Sequence, residues 1–272
     1  MTHLKLHNCS IHFTPTFKIF NELVSLELCE VTISSELLHE TLILCSPMLE
    51  KLLRSLDFTG DIEFLSLTKV PFLVKLSLVA TGPSVVAGEP DRSKYFEDCP
   101  ALERLFLDYG SIQFLFAGSC DMATKLSSPL NCLKYLCLSN ICLHYIVGLS
   151  CALCLIRSSP YLQDIQMKIG YDDKFSIRVT DDAVTKIPST FSGVTLNHLR
   201  SVKLEGITGK KPEMELVKLL LAKSPLLLRM LIQPRIWNES AETRLKVIAE
   251  ITKFPRASPK AEVDYNVDNN QV

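Results

Sequence analysis

The stretch LKYLCL, residues 133–138, carries leucine at its first, fourth and sixth positions. Side chains of a β-strand point alternately to opposite faces, so the fourth and sixth residues of such a stretch share a face. The same pattern recurs along the whole chain with conservative replacements. Its copies begin at residues 1, 23, 49, 73, 102, 133, 162, 199 and 227.

These copies are spaced by about 20 to 40 residues, in or near the range of leucine-rich repeats. A Ser-Pro or Cys-Pro pair precedes every other copy, at Ser46-Pro47, Cys99-Pro100, Ser159-Pro160 and Ser224-Pro225. Residues 34–45, 148–158 and 212–223 have apolar side chains at helical spacing before three of these pairs. The pattern predicts an α/β leucine-rich-repeat solenoid with a curved parallel sheet and convex helices. An ordinary parallel α/β domain is the alternative, but it needs no fixed leucine triplet.

Three segments lengthen the repeat and are predicted to be loops on the rim or convex side: residues 79–98, 109–128 and 168–194. The copy at Leu49/Leu52 is also crowded, because Leu53 begins a second triplet only four residues after Leu49. One turn of a solenoid needs about 20 residues or more, so two strands cannot begin there. This region is therefore expected to be irregular or to have lost a segment.

The composition allows a large core but indicates no charged partner. The chain has 272 residues, 47% of them hydrophobic, and a formal net charge of -1. The start of the sequence does not resemble a signal peptide, so we expect a location in the cytoplasm or nucleus, with cysteines as free thiols. Residues 135–156 lack charged side chains, but their polar residues and repeat pattern argue against a membrane span. Neither nucleic acid nor membrane is predicted as a partner.

Candidate catalytic motifs are weak. Cys151 and Cys154 have the spacing of half a zinc or redox site, but no second Cys/His pair follows at a matching separation, which favours core packing. The segment from Gly148 to Ala152 lacks the partners of a hydrolase nucleophile. Residues 206–211 lack the glycine spacing of a phosphate loop. The sequence predicts a non-catalytic binding module with no catalytic residue, cofactor or metal.

A protein partner is expected on the concave face, where the residues between the inward leucines should lie. Because neighbouring strands are about 4.8 Å apart, an aromatic patch with charged neighbours is predicted near the middle of the sheet. Aromatic and arginine side chains often dominate interface energies. The predicted partner-binding residues are Arg104, Phe106, Asp108, Tyr135, Cys137 and Asp164. A merely solvated sheet face, with binding on convex helices or rim loops, remains the alternative.

The chain resembles the plant F-box proteins that combine leucine-rich repeats with a C-terminal FBD domain. The resemblance is carried by LKLHNC at residues 4–9, LVSLEL at 23–28 and CSPMLEKL at 45–52. Towards the C-terminus it is carried by LRSVKL at 199–204 and FPRASPKAEV at 254–263. It implies leucine-rich repeats over residues 1–195, FBD-like repeats and a cap over 196–265, and a disordered tail over 266–272. A helix near residues 240–252 and a strand near 261–265 would cap the open end of the sheet.

In this family the F-box binds the adaptor subunit of a cullin ubiquitin ligase, called SCF, and the repeats are thought to select the substrate. The resemblance implies substrate recognition for this chain, with an unknown protein substrate on the concave face. No segment resembles the F-box, so SCF adaptor binding is expected only if an F-box lies upstream. A truncated form of such a protein would fit. The alternatives are a stand-alone leucine-rich-repeat scaffold and, less favoured, a metal or redox enzyme.

Overall fold

In the part of the chain that the structure describes, ten parallel strands form one sheet whose order follows the chain. The computed structural model describes residues 1–10, 21–32, 46, 48–57, 71–81, 96–97, 99–116, 125–170, 178–235 and 240–266. The strands are β1 His3–Ser10, β2 Ser25–Thr32, β3 Lys51–Asp57, β4 Lys75–Thr81, β5 Arg104–Asp108, β6 Tyr135–Ile141, β7 Asp164–Ile169, β8 Ser201–Ile207, β9 Arg229–Pro234 and β10 Glu262–Tyr265. This strand order confirms the predicted leucine-rich-repeat solenoid, since each of the strands β1 to β9 carries one copy of the pattern and lies beside the strand of the next copy.

The leucine pattern forms continuous rows of buried side chains. Leu76, Leu105 and Leu136 are register partners on successive strands and are completely buried. The leading residue is also buried in every copy from Leu23 to Leu227, whereas Met1, which leads the first copy, is exposed. The core is therefore a stack of equivalent apolar layers, each buried against the next.

Backbone hydrogen bonds repeat with the same spacing at the beginning of the strands. The carbonyl of Glu103 accepts hydrogen bonds from the amides of both Lys134 and Tyr135, at 2.9 and 3.0 Å. Just before β7, the amide of Leu162 donates to the carbonyl of Ser159, a buried residue that belongs to one of the Ser-Pro pairs. These bonds satisfy the backbone polar groups where the chain enters the sheet.

Six helices lie among the described residues: α1 Tyr109–Phe116, α2 Ile146–Arg157, α3 Asp181–Thr185, α4 Ile187–Thr190, α5 Lys211–Lys223 and α6 Ala241–Ile251. The predicted helices at 148–158, 212–223 and 240–252 are confirmed, with small differences at their ends. The predicted helix at 34–45 lies outside the described residues. The uncharged stretch at 135–156 is divided between β6 and α2, and no described helix is both long and apolar enough to cross a membrane.

The prediction that residues 109–128 form only a loop was wrong at its beginning, where α1 lies. Ile112, Leu115 and Phe116 recur at helical spacing and are buried, so the segment adds an apolar helix to the core. The short helices α3 and α4 likewise replace part of the loop predicted at 168–194. Short helical segments of this kind show too few turns for their periodicity to be read from sequence alone.

The crowded region around Leu52 contains one strand. Leu52 pairs in register with Leu26 and Leu76, and the strand continues through Asp57, so the second triplet does not begin a strand of its own. Arg54 consequently takes the register position between Leu28 and Leu78. The crowding therefore places an arginine where the two neighbouring strands have leucine in the register. The third triplet of this region, at residues 62–67, lies outside the described residues.

The C-terminal strand closes the described sheet. β10 pairs with β9, and the Ser258 hydroxyl donates to the carbonyl of Leu227 over 2.7 Å. Gly209 has a φ of +77°, and a Cβ there would collide with Val247 of α6, so this glycine permits the helix to pack closely. The strands before and after residues 195 and 196, β7 and β8, pair in the same sheet, and the domain boundary predicted between those residues stays a prediction. Residues 267–272 of the predicted tail lie outside the described residues.

Replacing Leu136 by alanine should lower the free energy of unfolding by about 2–5 kcal/mol, because a completely buried side chain leaves a cavity between two layers. Urea denaturation followed by circular dichroism measures this loss. Leu228→Ala is the matched control, since Leu228 is 50% exposed, and it should change the free energy by about 0.5 kcal/mol or less. Equal losses in the two variants would contradict the layered core.

Candidate functional site

The predicted binding residues lie together on three neighbouring strands. Arg104, Tyr135 and Asp164 are register partners on β5, β6 and β7. Phe106 and Cys137 are register partners in the next outward position. All alternate with the buried rows, and we call this side of the sheet the open face; it is the face that the sequence predicts to be concave.

Two aromatic rings and two cations form the centre of the open face. The rings of Phe106 and Tyr135 are tilted by 38° with their centroids 5.2 Å apart. The Arg104 guanidinium carbon lies 4.6 Å from the centroid of Tyr135, and the Lys75 ammonium nitrogen lies 5.0 Å from that of Phe106. Cation–π contacts of this length favour one placement of each cation. We call these four residues the aromatic–cation cluster.

A chain of polar side chains continues from the cluster towards β8. The Tyr135 hydroxyl donates to Gln166 Oε1 over 2.7 Å, and Gln166 Nε2 donates to Glu205 Oε1 over 3.3 Å. Glu205 is in turn paired with Lys203 at 2.6 Å. The sequence prediction omitted Lys75, Gln166 and Glu205, although their outward strand positions contained the signal needed to find them. This series of hydrogen bonds and one ion pair holds Tyr135 in one orientation.

Asp108 has a local structural partner. Its Oδ1 accepts a hydrogen bond from the amide of Ser111 over 2.9 Å, in the geometry of a side chain that caps the beginning of α1. A capping carboxylate has fewer acceptor positions left for a partner. Asp108 is accordingly a weaker candidate for direct contact than Arg104 or Phe106.

Partial burial on the open face affects two ionisable groups, Tyr135 in the cluster and Cys137 beside it. Burial raises the pKa of the Cys137 thiol, while its hydrogen bond with Tyr135 acts in the opposite direction. Burial also raises the pKa of the Tyr135 hydroxyl, and the nearby Arg104 partly offsets this. Both groups therefore remain protonated near neutral pH.

The Cys151–Cys154 pair lies inside the core as part of α2. Burial raises the pKa of Cys151 well above its usual value and also raises the pKa of Cys154. Protonated thiols are poor nucleophiles and poor metal ligands. Within the part of the chain that the structure describes, no three His, Cys, Asp or Glu side chains are grouped so as to hold a metal ion.

The turn at residues 206–211 is closed by Glu213, whose side chain is buried. The amides of Thr208 and Lys210 donate to Glu213 Oε2 over 2.7 and 3.3 Å. Burial raises the pKa of this carboxyl group, and the hydrogen bonds from Thr208 and Lys210 lower it. The backbone donors that a phosphate would require are already bonded to this carboxyl, so the turn has a structural role.

A second exposed surface runs along the rim where the strands begin. The residue directly before the leading leucine of a repeat is exposed and apolar at several repeats, including Phe72 at 54% and Tyr161 at 50%. Tyr161 stacks against His198, the residue in the equivalent place one repeat later, with ring centroids 5.0 Å apart. This rim corresponds to the alternative binding surface that the sequence left open.

Comparison with known proteins finds a relative of the kind that the sequence indicated. The chain is 24% identical to an F-box/FBD/LRR-repeat protein of Arabidopsis thaliana, over 97% of this chain and 67% of the relative. No known protein-family profile matches the chain. No solved structure matches it either. The relative confirms the resemblance to the F-box/FBD/LRR-repeat proteins, and its name agrees with the observed repeat fold.

Alkylation by iodoacetamide should distinguish three environments for the thiols. We expect rapid modification of the exposed Cys132, slow modification of the half-buried Cys137, and modification of Cys151 only after unfolding. Because the pKa of Cys137 is raised, its rate should increase strongly between about pH 7 and about pH 9 as the thiolate forms. Peptide mass mapping measures each site. Rapid labelling of Cys151 in the folded protein would contradict its place in the core.

Proposed function

We propose that this chain is a protein-recognition module that captures a partner on the open face of its sheet. Its place would be the substrate-recognition part of an adaptor–cullin–F-box ubiquitin ligase. Similarity to an F-box/FBD/LRR-repeat protein indicates an interaction module without catalysis. The partner and the link to ubiquitination are parts of the proposal.

The aromatic–cation cluster is the observation that carries the proposal. Phe106 and Tyr135 lie on the solvent side of the sheet, and their contacts with Arg104 and Lys75 hold them in fixed positions. Tyrosine and arginine are enriched among the residues that dominate binding at protein interfaces, where truncation often costs about 2 kcal/mol or more. A preformed cluster loses little side-chain entropy when a partner binds.

The ubiquitin-ligase role is supported by the name of the relative alone. The aligned part covers about two thirds of that relative, and F-box is the first term in its name. A stand-alone leucine-rich-repeat scaffold would use the same open face without an adaptor, and it is the alternative function. The two functions differ in whether the gene product binds the adaptor.

Replacing both Phe106 and Tyr135 by alanine should abolish most partner capture, because the rings supply the apolar centre of the open face. The measurement is quantitative mass spectrometry of proteins retained from an extract of the source tissue. The thermal unfolding midpoint should be unchanged, since neither ring belongs to the buried leucine rows.

The double variant Phe72→Ala/Tyr161→Ala is the matched control, because it removes two exposed aromatic rings from the rim. It should retain the proteins that the open-face variant loses. The assignment of the open face would be wrong if the rim variant lost the same proteins and the open-face variant kept them, or if the open-face variant failed to fold.

Co-expression of the full gene product with the ligase's adaptor subunit tests the more specific role. Co-purification in equal amounts is expected if the gene product carries an F-box. Purification of a full-length gene product without adaptor would favour the stand-alone scaffold. Because this test does not depend on the open face, it separates the ligase role from the binding role.

A further inference from the structure

Three cations occupy equivalent outward positions on three neighbouring strands. Lys51, Lys75 and Arg104 are register partners on β3, β4 and β5. Adjacent strands lie about 4.8 Å apart, and like charges directly opposite each other on neighbouring strands destabilise a sheet. We call these residues the cation row. A compensating negative charge would stabilise a row of this kind.

Three other cations on the open face have that compensation. Lys5 pairs with Glu27 at 2.8 Å, Lys203 with Glu205 at 2.6 Å, and Arg229 with Asp264 at 3.0 Å. Among the described residues, by contrast, no carboxylate pairs with a member of the cation row. Lys75 helps to lower the pKa of Glu27, but that carboxylate is hydrogen bonded to Lys5. Within the part of the chain that the structure describes, the cation row therefore places three neighbouring cations together without a paired carboxylate.

The aromatic rings hold two members of the row in place without neutralising them. Arg104 lies 4.6 Å from the centroid of Tyr135 and 6.0 Å from that of Phe106. A cation–π contact leaves the guanidinium edge able to donate two hydrogen bonds to a carboxylate. The row thus offers preformed donors beside an apolar surface.

The positive charge ends abruptly towards the middle of the sheet. Beyond Arg104, the next register positions hold Tyr135 and then Asp164. From Lys51 to Arg104 the row spans two strand spacings, about 10 Å, which is short for the extended basic track that binds nucleic acid. An anionic group that binds here must also tolerate Asp164 about 10 Å beyond Arg104. These limits fit a short acidic segment with an apolar neighbour.

We propose that the cation row and the aromatic–cation cluster together receive an acidic segment of the partner protein. Aspartate or glutamate carboxylates of that segment bind Lys51, Lys75 and Arg104, and an apolar side chain packs on Phe106 and Tyr135. This inference rests on the proposed function and specifies the chemistry of the partner.

Selection from a phage-displayed library of random peptides tests the inference with the intact chain as bait. Peptides that bind should be enriched in Asp and Glu next to an apolar or aromatic residue. The triple variant Lys51→Gln/Lys75→Gln/Arg104→Gln should raise the Kd of a selected acidic peptide about tenfold or more, because several charge-assisted hydrogen bonds are lost. Binding to the unchanged chain should weaken as salt is added.

The matched control is Lys186→Gln/Lys253→Gln/Lys260→Gln, which removes the same charge from exposed positions away from the open face. It should bind the selected peptide as the unchanged chain does. A version of the peptide with Gln or Asn in place of each acid should bind weakly. Equal weakening by the two triple variants would overturn the inference, as it would show a nonspecific charge effect.

The remaining outcomes separate this inference from the proposed function. Selected peptides without acidic enrichment that still lose binding with Phe106→Ala would overturn the acidic segment and leave the open face as a binding surface. Selected peptides that bind the Phe106→Ala/Tyr135→Ala variant unchanged would overturn both. Tighter binding of a phosphoserine peptide or of single-stranded DNA than of the acidic peptide would also reject carboxylates as the recognised group.

Discussion

The fold depends on keeping every repeat in the same register, so that each inward side chain meets its equivalent in the next repeat. Leu76, Leu105 and Leu136 show the arrangement, with no solvent reaching the row between them. A shift of one residue would turn the apolar side chains of a strand towards solvent. The shared carbonyl at the beginning of each strand, such as that of Glu103, supports this register through the backbone.

The same register determines the chemistry of the open face. Because strands run parallel and in step, one outward position brings Lys51, Lys75 and Arg104 side by side, although they are far apart in sequence. Two residues further along β5, Phe106 supplies an apolar surface beside them. The proposed recognition would use side chains whose only common property is their place in the repeat.

The repeat, its strands and the longer helices could be predicted from sequence because leucine spacing reports burial directly. The six predicted site residues also lie where strand alternation places them. Helix α1 was missed because its few turns follow directly on a strand. The hydrogen bonds from Tyr135 to Gln166 and from Gln166 to Glu205 were missed because they depend on side-chain rotamers on three strands, which a linear pattern does not contain. The capping role of Asp108 was missed with the helix that it begins.

Along each strand, residues that stabilise the fold alternate with residues that face the solvent. Leu105 lies between Arg104 and Phe106 in sequence, yet it is completely buried while its neighbours are accessible. Substitutions at the accessible positions would leave the interior undisturbed. A lineage of such proteins can therefore diversify its ligands by point mutation while retaining one architecture.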